Sequence, residues 1–251
     1  HRVLAYEMLH NAIIGPIGVT NAYFQLFLEG FRLPCSSTLD ICDLVRNFHG
    51  GAEEFIQTAE ISVIRSFDDL NIRILDAVNG PFRDDFTSAC AEAGPDFADK
   101  SFETIFQEFL EATGAPCPSV FDEIKDRFNP EINLERIDSS TFRMEILCWS
   151  VSGASRVIAE GEPLRIVLVT DEDSTYMSSS TPRARRAEYL AAGICSFKTC
   201  SRSLRIPVSY LIKLLRDAYS DMDSSFPNAR SAVHHWLLVQ MLEAIGSYTV
   251  L

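Results

Sequence analysis

The feature that most constrains the fold is a series of apolar stripes at helical spacing along the first 130 residues. The stretch FETIFQEFLEA places Phe102, Ile105, Phe106 and Phe109 at positions i, i+3, i+4 and i+7, which lie on one face of a helix. Similar segments follow one another through this half of the chain, each bounded by glycine or proline. Such stripes are buried by packing against other elements, so we predict a stack of helices over residues 1–135.

The pattern changes near residue 140. TFRMEILCWSV and LRIVLVT are rich in β-branched and aromatic residues and are short for helices. Between them, SRVIAEGEP is predicted to form a strand that enters a turn at residues 160–163. We therefore predict a small antiparallel β meander near residues 141–170. LRIVLVT is apolar at nearly every position, so we expect both of its faces to be covered.

The last third of the chain returns to helical patterns, and we predict C-terminal helices over residues 183–249. ARSAVHHWLLVQMLEAIGSY is apolar on nearly all sides, which predicts a helix near the centre of the core. No linker is long enough to separate domains, although 171–182 is a candidate hinge. The expected fold is one compact domain over residues 1–251, mainly α and of the α+β class.

Composition limits the kinds of protein that this chain can be. Hydrophobic residues make up 47% of its 251 residues, which is enough to build a core without a metal or disulfides. The seven cysteines are odd in number and scattered, so we predict reduced thiols in the cytoplasm or nucleus. No run of eighteen apolar residues occurs, so we predict neither a transmembrane helix nor a membrane partner.

Charge is strongly segregated along the sequence. The formal net charge is -13, yet residues 183–216 hold eight basic residues and one acid, Glu188. That segment therefore carries +7 and the remainder of the chain carries −20. The basic residues predicted to contact an anionic partner are Arg183, Arg185, Arg186, Lys198, Arg202 and Arg205.

Three interpretations of this basic segment stay open. It could be compensated internally by acidic stretches such as DEIKDRFNPE or the acids of 171–173. It could bind an acidic or phosphorylated protein, because the planar guanidinium group of arginine makes bidentate contacts to carboxylate and phosphate. It could bind nucleic acid, but a body at −20 repels a polyanion and no nucleic-acid-binding motif is present, so this interpretation is disfavoured.

The residues just before the arginines form a candidate phosphorylation site. Ser180 and Thr181 precede Pro182, and Thr-Pro is a proline-directed phosphorylation context. A phosphate there would lie close to the following arginines and could order the segment through charge-assisted hydrogen bonds. The alternative is a flexible loop whose hydroxyl groups only keep it solvated.

Candidates for catalysis and metal binding are weaker. Cys148 or Cys195 could in principle pair with His49 or His234 as a nucleophile and its base. A zinc site at Cys195, Cys200, His234 and His235 is disfavoured, because adjacent histidines on a helix point about 100 degrees apart. Nucleophile-elbow, phosphate-loop and dinucleotide motifs are absent from the sequence. We therefore predict no metal and no cofactor, name no catalytic residue, and lean against an enzyme.

The function predicted from the sequence is a non-catalytic, intracellular interaction or assembly module, such as a scaffold or complex subunit. Its segment 183–216 would contact an acidic or phosphorylated protein. The first alternative is an enzyme with a dispersed Cys/His or carboxylate site. The second is a nucleic-acid-associated, nucleoprotein-like subunit. The oligomeric state is left open.

Overall fold

The computed structural model describes residues 64–75, 81–153, 163–170, 176–177, 181–220 and 226–245. All of these belong to the second of two compact units into which the chain divides, Ile64–Leu251. The helices predicted before residue 64 lie outside the described residues. A single domain spanning the whole chain therefore stays a prediction.

The described residues form seven α-helices and one four-stranded sheet, which confirms the mainly helical α+β class. None of these helices is long and apolar enough to cross a membrane. The helices are α1 (Pro81–Glu92), α2 (Phe102–Glu111), α3 (Pro118–Ile124), α4 (Phe142–Ser152), α5 (Arg183–Ala191), α6 (Val208–Ser220) and α7 (Ala229–Ala244). The strands are β1 (Ile72–Leu75), β2 (Leu164–Val169), β3 (Ser196–Lys198) and β4 (Ser203–Pro207).

The strand order in the sheet is β1-β2-β4-β3. Strands β1, β2 and β4 run parallel, and β3 pairs antiparallel with β4. Parallel neighbours need a crossover connection between them. Helices α1 to α4 lie between β1 and β2 in the chain, and α5 lies between β2 and the β3–β4 hairpin.

The predicted antiparallel meander over 141–170 is wrong in its first segment and in its pairing. TFRMEILCWSV forms helix α4, which ends where Gly153 adopts a φ of 73°. Side chains around most of α4 are buried, and a fully buried helix segment has the same continuous apolar run as a buried strand. Within LRIVLVT, residues Leu164–Val169 do form strand β2, but the neighbouring strands are parallel to it. Residues 154–162, which held the middle strand of the prediction, lie outside the described residues.

Two of the predicted helices are confirmed in detail. The apolar stripe of α2 is buried, and the side chain of Ser101 caps this helix by accepting a hydrogen bond of 3.2 Å from the backbone N–H of Thr104. Helix α7 is buried on most sides, as its sequence predicts, and it contributes Val233, Leu237 and Leu238 to the main core.

The two sides of the sheet have different environments. On the core side, Ile166 of β2 and Leu204 and Ile206 of β4 pack into the main hydrophobic core with helices α1 to α4, α6 and α7. On the other side, Val169 packs with Tyr176 and with Leu190 of α5 in a smaller cluster. We call this second side the α5 side of the sheet.

Candidate functional site

A row of basic side chains crosses the α5 side of the sheet. Arg73 of β1 pairs with Arg165 of β2, Arg165 pairs with Ser203 of β4, and Ser203 pairs with Lys198 of β3. Paired residues in a sheet project to the same side, so these four form one row across all four strands. Three members of the row are cations.

A fourth cation adjoins this row. Arg205 follows Ser203 by two residues, so it projects to the same side, where it pairs with Val167 and Ser196. Diagonal neighbours on adjacent strands are roughly 7–8 Å apart, which brings Arg205 near both Arg165 and Lys198. None of the four described strands contains an acidic residue. We call Arg73, Arg165, Lys198 and Arg205 the sheet cations.

Helix α5 lies on the same side of the sheet as the sheet cations. Val167 and Val169 alternate with the core-facing residues of β2 and share the side that carries Arg165. Both valines contact the cluster to which Leu190 of α5 belongs. The α5 contact therefore covers the carboxyl end of β2, while the cation row lies nearer the amino ends of the parallel strands.

The arginines of α5 add charge to this side. Arg183 and Arg185 are exposed, and Arg186 is partly buried. The Nε of Arg185 donates a hydrogen bond of 3.0 Å to the hydroxyl of Tyr189, and its guanidinium carbon lies 5.6 Å from the centre of that ring. This cation–π arrangement holds Arg185 on the surface of the helix.

Arg205 differs from the other sheet cations in its hydrogen bonding. Its Nε and Nη1 atoms are buried and have no hydrogen-bond partner among the described residues. Buried polar groups in native proteins are nearly always paired, so such an atom calls for an explanation, for example a bound ion or water. Arg165, Arg186, Lys198 and Arg202 each make a further interaction within the protein, so none of these four is unpaired.

The carboxyl end of the predicted basic segment is compensated internally. Arg216 of α6 donates to Glu92 at 3.2 Å and to Asp85 at 3.5 Å, both on α1. Lys213 lies 4.0 Å from Asp217 on its own helix. Internal compensation therefore applies to this end of the segment, with α1 rather than DEIKDRFNPE as the acidic partner. The acids of 171–173 lie outside the described residues.

The structure thus divides the residues predicted to contact an anionic partner. Lys198 and Arg205 lie together on the sheet, and Arg202 lies in the β3–β4 hairpin, where its carbonyl accepts a 2.9 Å hydrogen bond from the Arg165 backbone N–H. Thr181, a predicted phosphorylation site, is partly buried just before α5, whereas Ser180 lies outside the described residues. Arg183, Arg185 and Arg186 lie on α5.

Sequence reasoning missed Arg73 and Arg165. Each is the single charged residue of its strand, in IRIL and LRIVLV, where every other residue is apolar. A lone arginine inside an otherwise apolar strand was the signal for a charged position on one side of the sheet. LRIVLV was instead interpreted as apolar at nearly every position.

A second polar cluster lies inside the helical core. The side chain of Arg143 on α4 is 1% exposed, and it donates from Nη1 to the carbonyl of Phe109 at 2.9 Å and from Nη2 to that of Gly114 at 2.8 Å. Nη1 also lies 3.4 Å from Nδ1 of His234, and the guanidinium carbon lies 5.1 Å from the centre of the Phe109 ring. Phe109 is in the last turn of α2, so Arg143 satisfies a carbonyl that has no partner within that helix.

Burial sets the protonation states of the nucleophile and base candidates. Burial, with the nearby charge of Arg143, lowers the pKa of His234 to about 3, so the ring is neutral at physiological pH. Burial raises the pKa of the Cys148 thiol to about 12 and also raises that of Cys195. Reactive cysteines have lowered pKa values, so burial acts against either thiol as a nucleophile. His49 lies outside the described residues.

The zinc combination considered from the sequence does not converge. Within the residues that the structure describes, no three histidine, cysteine, aspartate or glutamate side chains form a group that could hold a metal ion. The five cysteines in this part of the chain are free thiols, and of these Cys200 is exposed.

His234 makes stability depend on pH. Its pKa in the folded protein, about 3, is below the ordinary value of 6.5, so below pH 6.5 the unfolded chain binds a proton that the folded protein does not. The free energy of unfolding should therefore fall between pH 6.5 and 3, by about 1.4 kcal/mol per pH unit for this group. Urea unfolding of the wild type and of His234→Gln at pH 7, 6, 5 and 4 measures this fall in the free energy of unfolding. We expect the free energy to fall more steeply with decreasing pH in the wild type. The same pH dependence in both proteins would contradict the lowered pKa of His234.

Comparison of the chain with protein-family models, with curated proteins and with solved structures gave no significant match.

Proposed function

We propose that the protein is a non-catalytic, intracellular interaction module that binds an acidic or phosphorylated protein partner. The contact surface would combine the arginines of α5 with the sheet cations. One observation carries the proposal: a row of cations crosses a sheet whose four described strands contain no acid, on the side where α5 carries its exposed arginines. In a protein of formal net charge -13, this concentration of positive charge favours an anionic ligand.

A protein partner is favoured over a nucleic acid because of the charge on the rest of the chain. Outside residues 183–216 the formal charge is −20, which repels a long polyanion but does not prevent a short anionic segment from contacting one surface. The enzyme alternative has less support, since the two candidate thiols have raised pKa values. A reducing compartment agrees with the five free cysteines of the described residues.

The test compares capture of partners from a lysate of the source cells by three immobilised proteins. The first is the wild type, and the second carries Arg183→Glu, Arg185→Glu and Arg186→Glu on α5. The matched control carries glutamate at Arg83, Lys125 and Arg127, which are exposed and lie outside α5 and the sheet. We expect a defined protein to be retained by the wild type and the control and lost from the α5 variant, with or without nuclease.

Two outcomes would contradict the proposed function. Equal retention by all three proteins would show that the α5 arginines have no role in binding. Loss of the retained protein after nuclease treatment would show that nucleic acid mediates the contact, which favours the nucleoprotein-like alternative.

A further inference from the structure

Resting on the proposed function, we propose that Arg165, Lys198 and Arg205 form a binding site for one phosphate group, that of a phosphorylated serine or threonine in the partner protein. The sequence suggested only a basic segment that binds an acidic or phosphorylated protein. The sheet register brings one residue from outside that segment, Arg165, together with two from inside it.

The three side chains surround a short residue. Ser203 pairs directly with Arg165 on one side and with Lys198 on the other, and Arg205 is the next residue of β4 on the same side of the sheet. Adjacent strands are about 4.8 Å apart, so the Cα atoms of Arg165 and Lys198 are roughly 10 Å apart, with Arg205 between them and further along β4. Ser203 is 2% exposed and its hydroxyl lies 2.9 Å from that of Ser201. Because the Ser203 hydroxyl already has this partner, the three long cationic side chains would contact a ligand.

Arg205 supplies hydrogen-bond donors that lack an acceptor. Its Nε and Nη1 atoms have no partner among the described residues. They lie on different edges of the planar guanidinium group, and each can donate a charge-assisted hydrogen bond to an anionic oxygen. Leaving a buried donor without an acceptor costs free energy. Both atoms are covered from solvent, so an anion removes that cost when the groups that cover Arg205 move aside.

Phosphate fits this site better than a carboxylate does. A phosphorylated side chain carries about −1.5 to −2 charges at pH 7 and three terminal oxygens, so it can contact three cations at once. A carboxylate has one charge and two oxygens, so it cannot offer a separate oxygen to each of the three cations. The neighbouring arginines of α5, on the same side of the sheet, would raise the local concentration of anionic segments.

The size of the site favours a protein side chain over a nucleic acid. Single-stranded nucleic acids bind along extended basic grooves, where aromatic side chains stack on successive bases. Here Arg165, Lys198 and Arg205 are neighbours on adjacent strands, and Arg73 extends the row by one strand. The surface toward the carboxyl end of β2 is occupied by the packing of Val169, Tyr176 and Leu190. One phosphorylated side chain fits this short row better than an extended nucleic acid does.

The experiment measures retention of the purified protein on four immobilised probes. The first is a degenerate peptide pool with a central phosphoserine or phosphothreonine, and the second is the same pool without phosphate. The third is a pool rich in aspartate and glutamate, and the fourth is oligothymidylate. We expect retention on the phosphorylated pool at least tenfold above that on the other three probes, and competition by free phosphoserine.

The variants test which arginine binds the phosphate. Arg205→Gln should lower affinity for the phosphorylated pool by about tenfold to a hundredfold, the range for losing a charged hydrogen-bonding group. Arg205→Lys keeps the charge but not the planar set of guanidinium donors, so its affinity should be intermediate. Arg216→Gln is the matched control and should bind as the wild type does, because Arg216 lies against Asp85 and Glu92 of α1.

The outcomes separate this inference from the proposed function. Equal retention on the acid-rich and phosphorylated pools would overturn the phosphate site and leave the proposed function standing. Preferential retention on oligothymidylate would overturn both. Retention on no probe, or wild-type binding by Arg205→Gln, would overturn the phosphate site. A thermal unfolding assay shows whether Arg205→Gln folds. If it does not fold, the affinity of Arg205→Lys for the phosphorylated pool is the test, and wild-type affinity in that variant overturns the phosphate site.

Discussion

Replacing Arg143 with methionine is expected to lower the free energy of unfolding by about 3–5 kcal/mol. The substitution keeps an unbranched side chain but removes the donors that serve the carbonyls of Phe109 and Gly114 and the Nδ1 atom of His234. Each buried acceptor left without a donor costs roughly 1–3 kcal/mol, and removal of the buried charge offsets part of the total.

The matched control for this substitution is Arg136→Met. Arg136 also makes two hydrogen bonds, at 2.8 and 2.9 Å, but to the carboxylate of Glu145, and its own side chain is 45% exposed. An exposed ion pair of this kind contributes about 0–1 kcal/mol. Urea unfolding of both variants at pH 7 provides the comparison. A loss below about 1 kcal/mol for Arg143→Met would show that the buried guanidinium group does not stabilise the contact between α2, α4 and α7.

Replacing Gly193 with alanine should lower the free energy of unfolding by about 2–4 kcal/mol. Gly193 has a φ of 71°, and a Cβ atom there would overlap the ring of Tyr210. The carbonyl of Gly193 accepts a 2.7 Å hydrogen bond from Nε1 of Trp236, whose ring centre lies 5.3 Å from that of Tyr210. The backbone between α5 and β3 is therefore fixed against α6 and α7 and cannot move away from the added methyl group.

Gly153→Ala separates the cost of the left-handed backbone from the cost of the overlap with Tyr210. Gly153 has nearly the same φ, 73°, but a Cβ atom there would meet nothing within 4 Å. Alanine at this position carries only the cost of a left-handed backbone, about 1 kcal/mol. Thermal or urea unfolding of the two variants should give a larger loss at position 193. Equal losses would mean that Tyr210 gives way without cost.

The parts of the fold that sequence reasoning predicted depend on local patterns. The stripe of α2 repeats every three to four residues, so one face of that helix could be identified from the sequence alone. Helix α4 could not be distinguished in this way, because the consecutive side chains of Ile146, Leu147 and Cys148 project about 100 degrees apart and are all buried. An apolar run of that length is compatible with either a buried strand or a buried helix.

The candidate site was predicted only in part, because the register of the sheet joins residues that are distant in the chain. Lys198 and Arg205 lie in the basic segment and were predicted, whereas Arg73 and Arg165 come from strands interpreted only by their apolar residues. Pairing between strands separated by several helices depends on tertiary packing and cannot be derived from spacing along the chain. The same limit applies to Arg143, whose acceptors come from a different helix and a loop.

The anion-binding surface is tested most sharply by a nuclear magnetic resonance titration of the arginine Nε–H groups in the intact protein with a phosphoserine peptide. We expect the Arg205 signal to shift and saturate with the peptide, while the signals of Arg143, inside the core, and Arg216, paired with α1, stay in place. The unphosphorylated peptide should leave the Arg205 signal where it is. A titration that leaves Arg205 unchanged, or that shifts only Arg216, would contradict an anion-binding surface on the α5 side of the sheet.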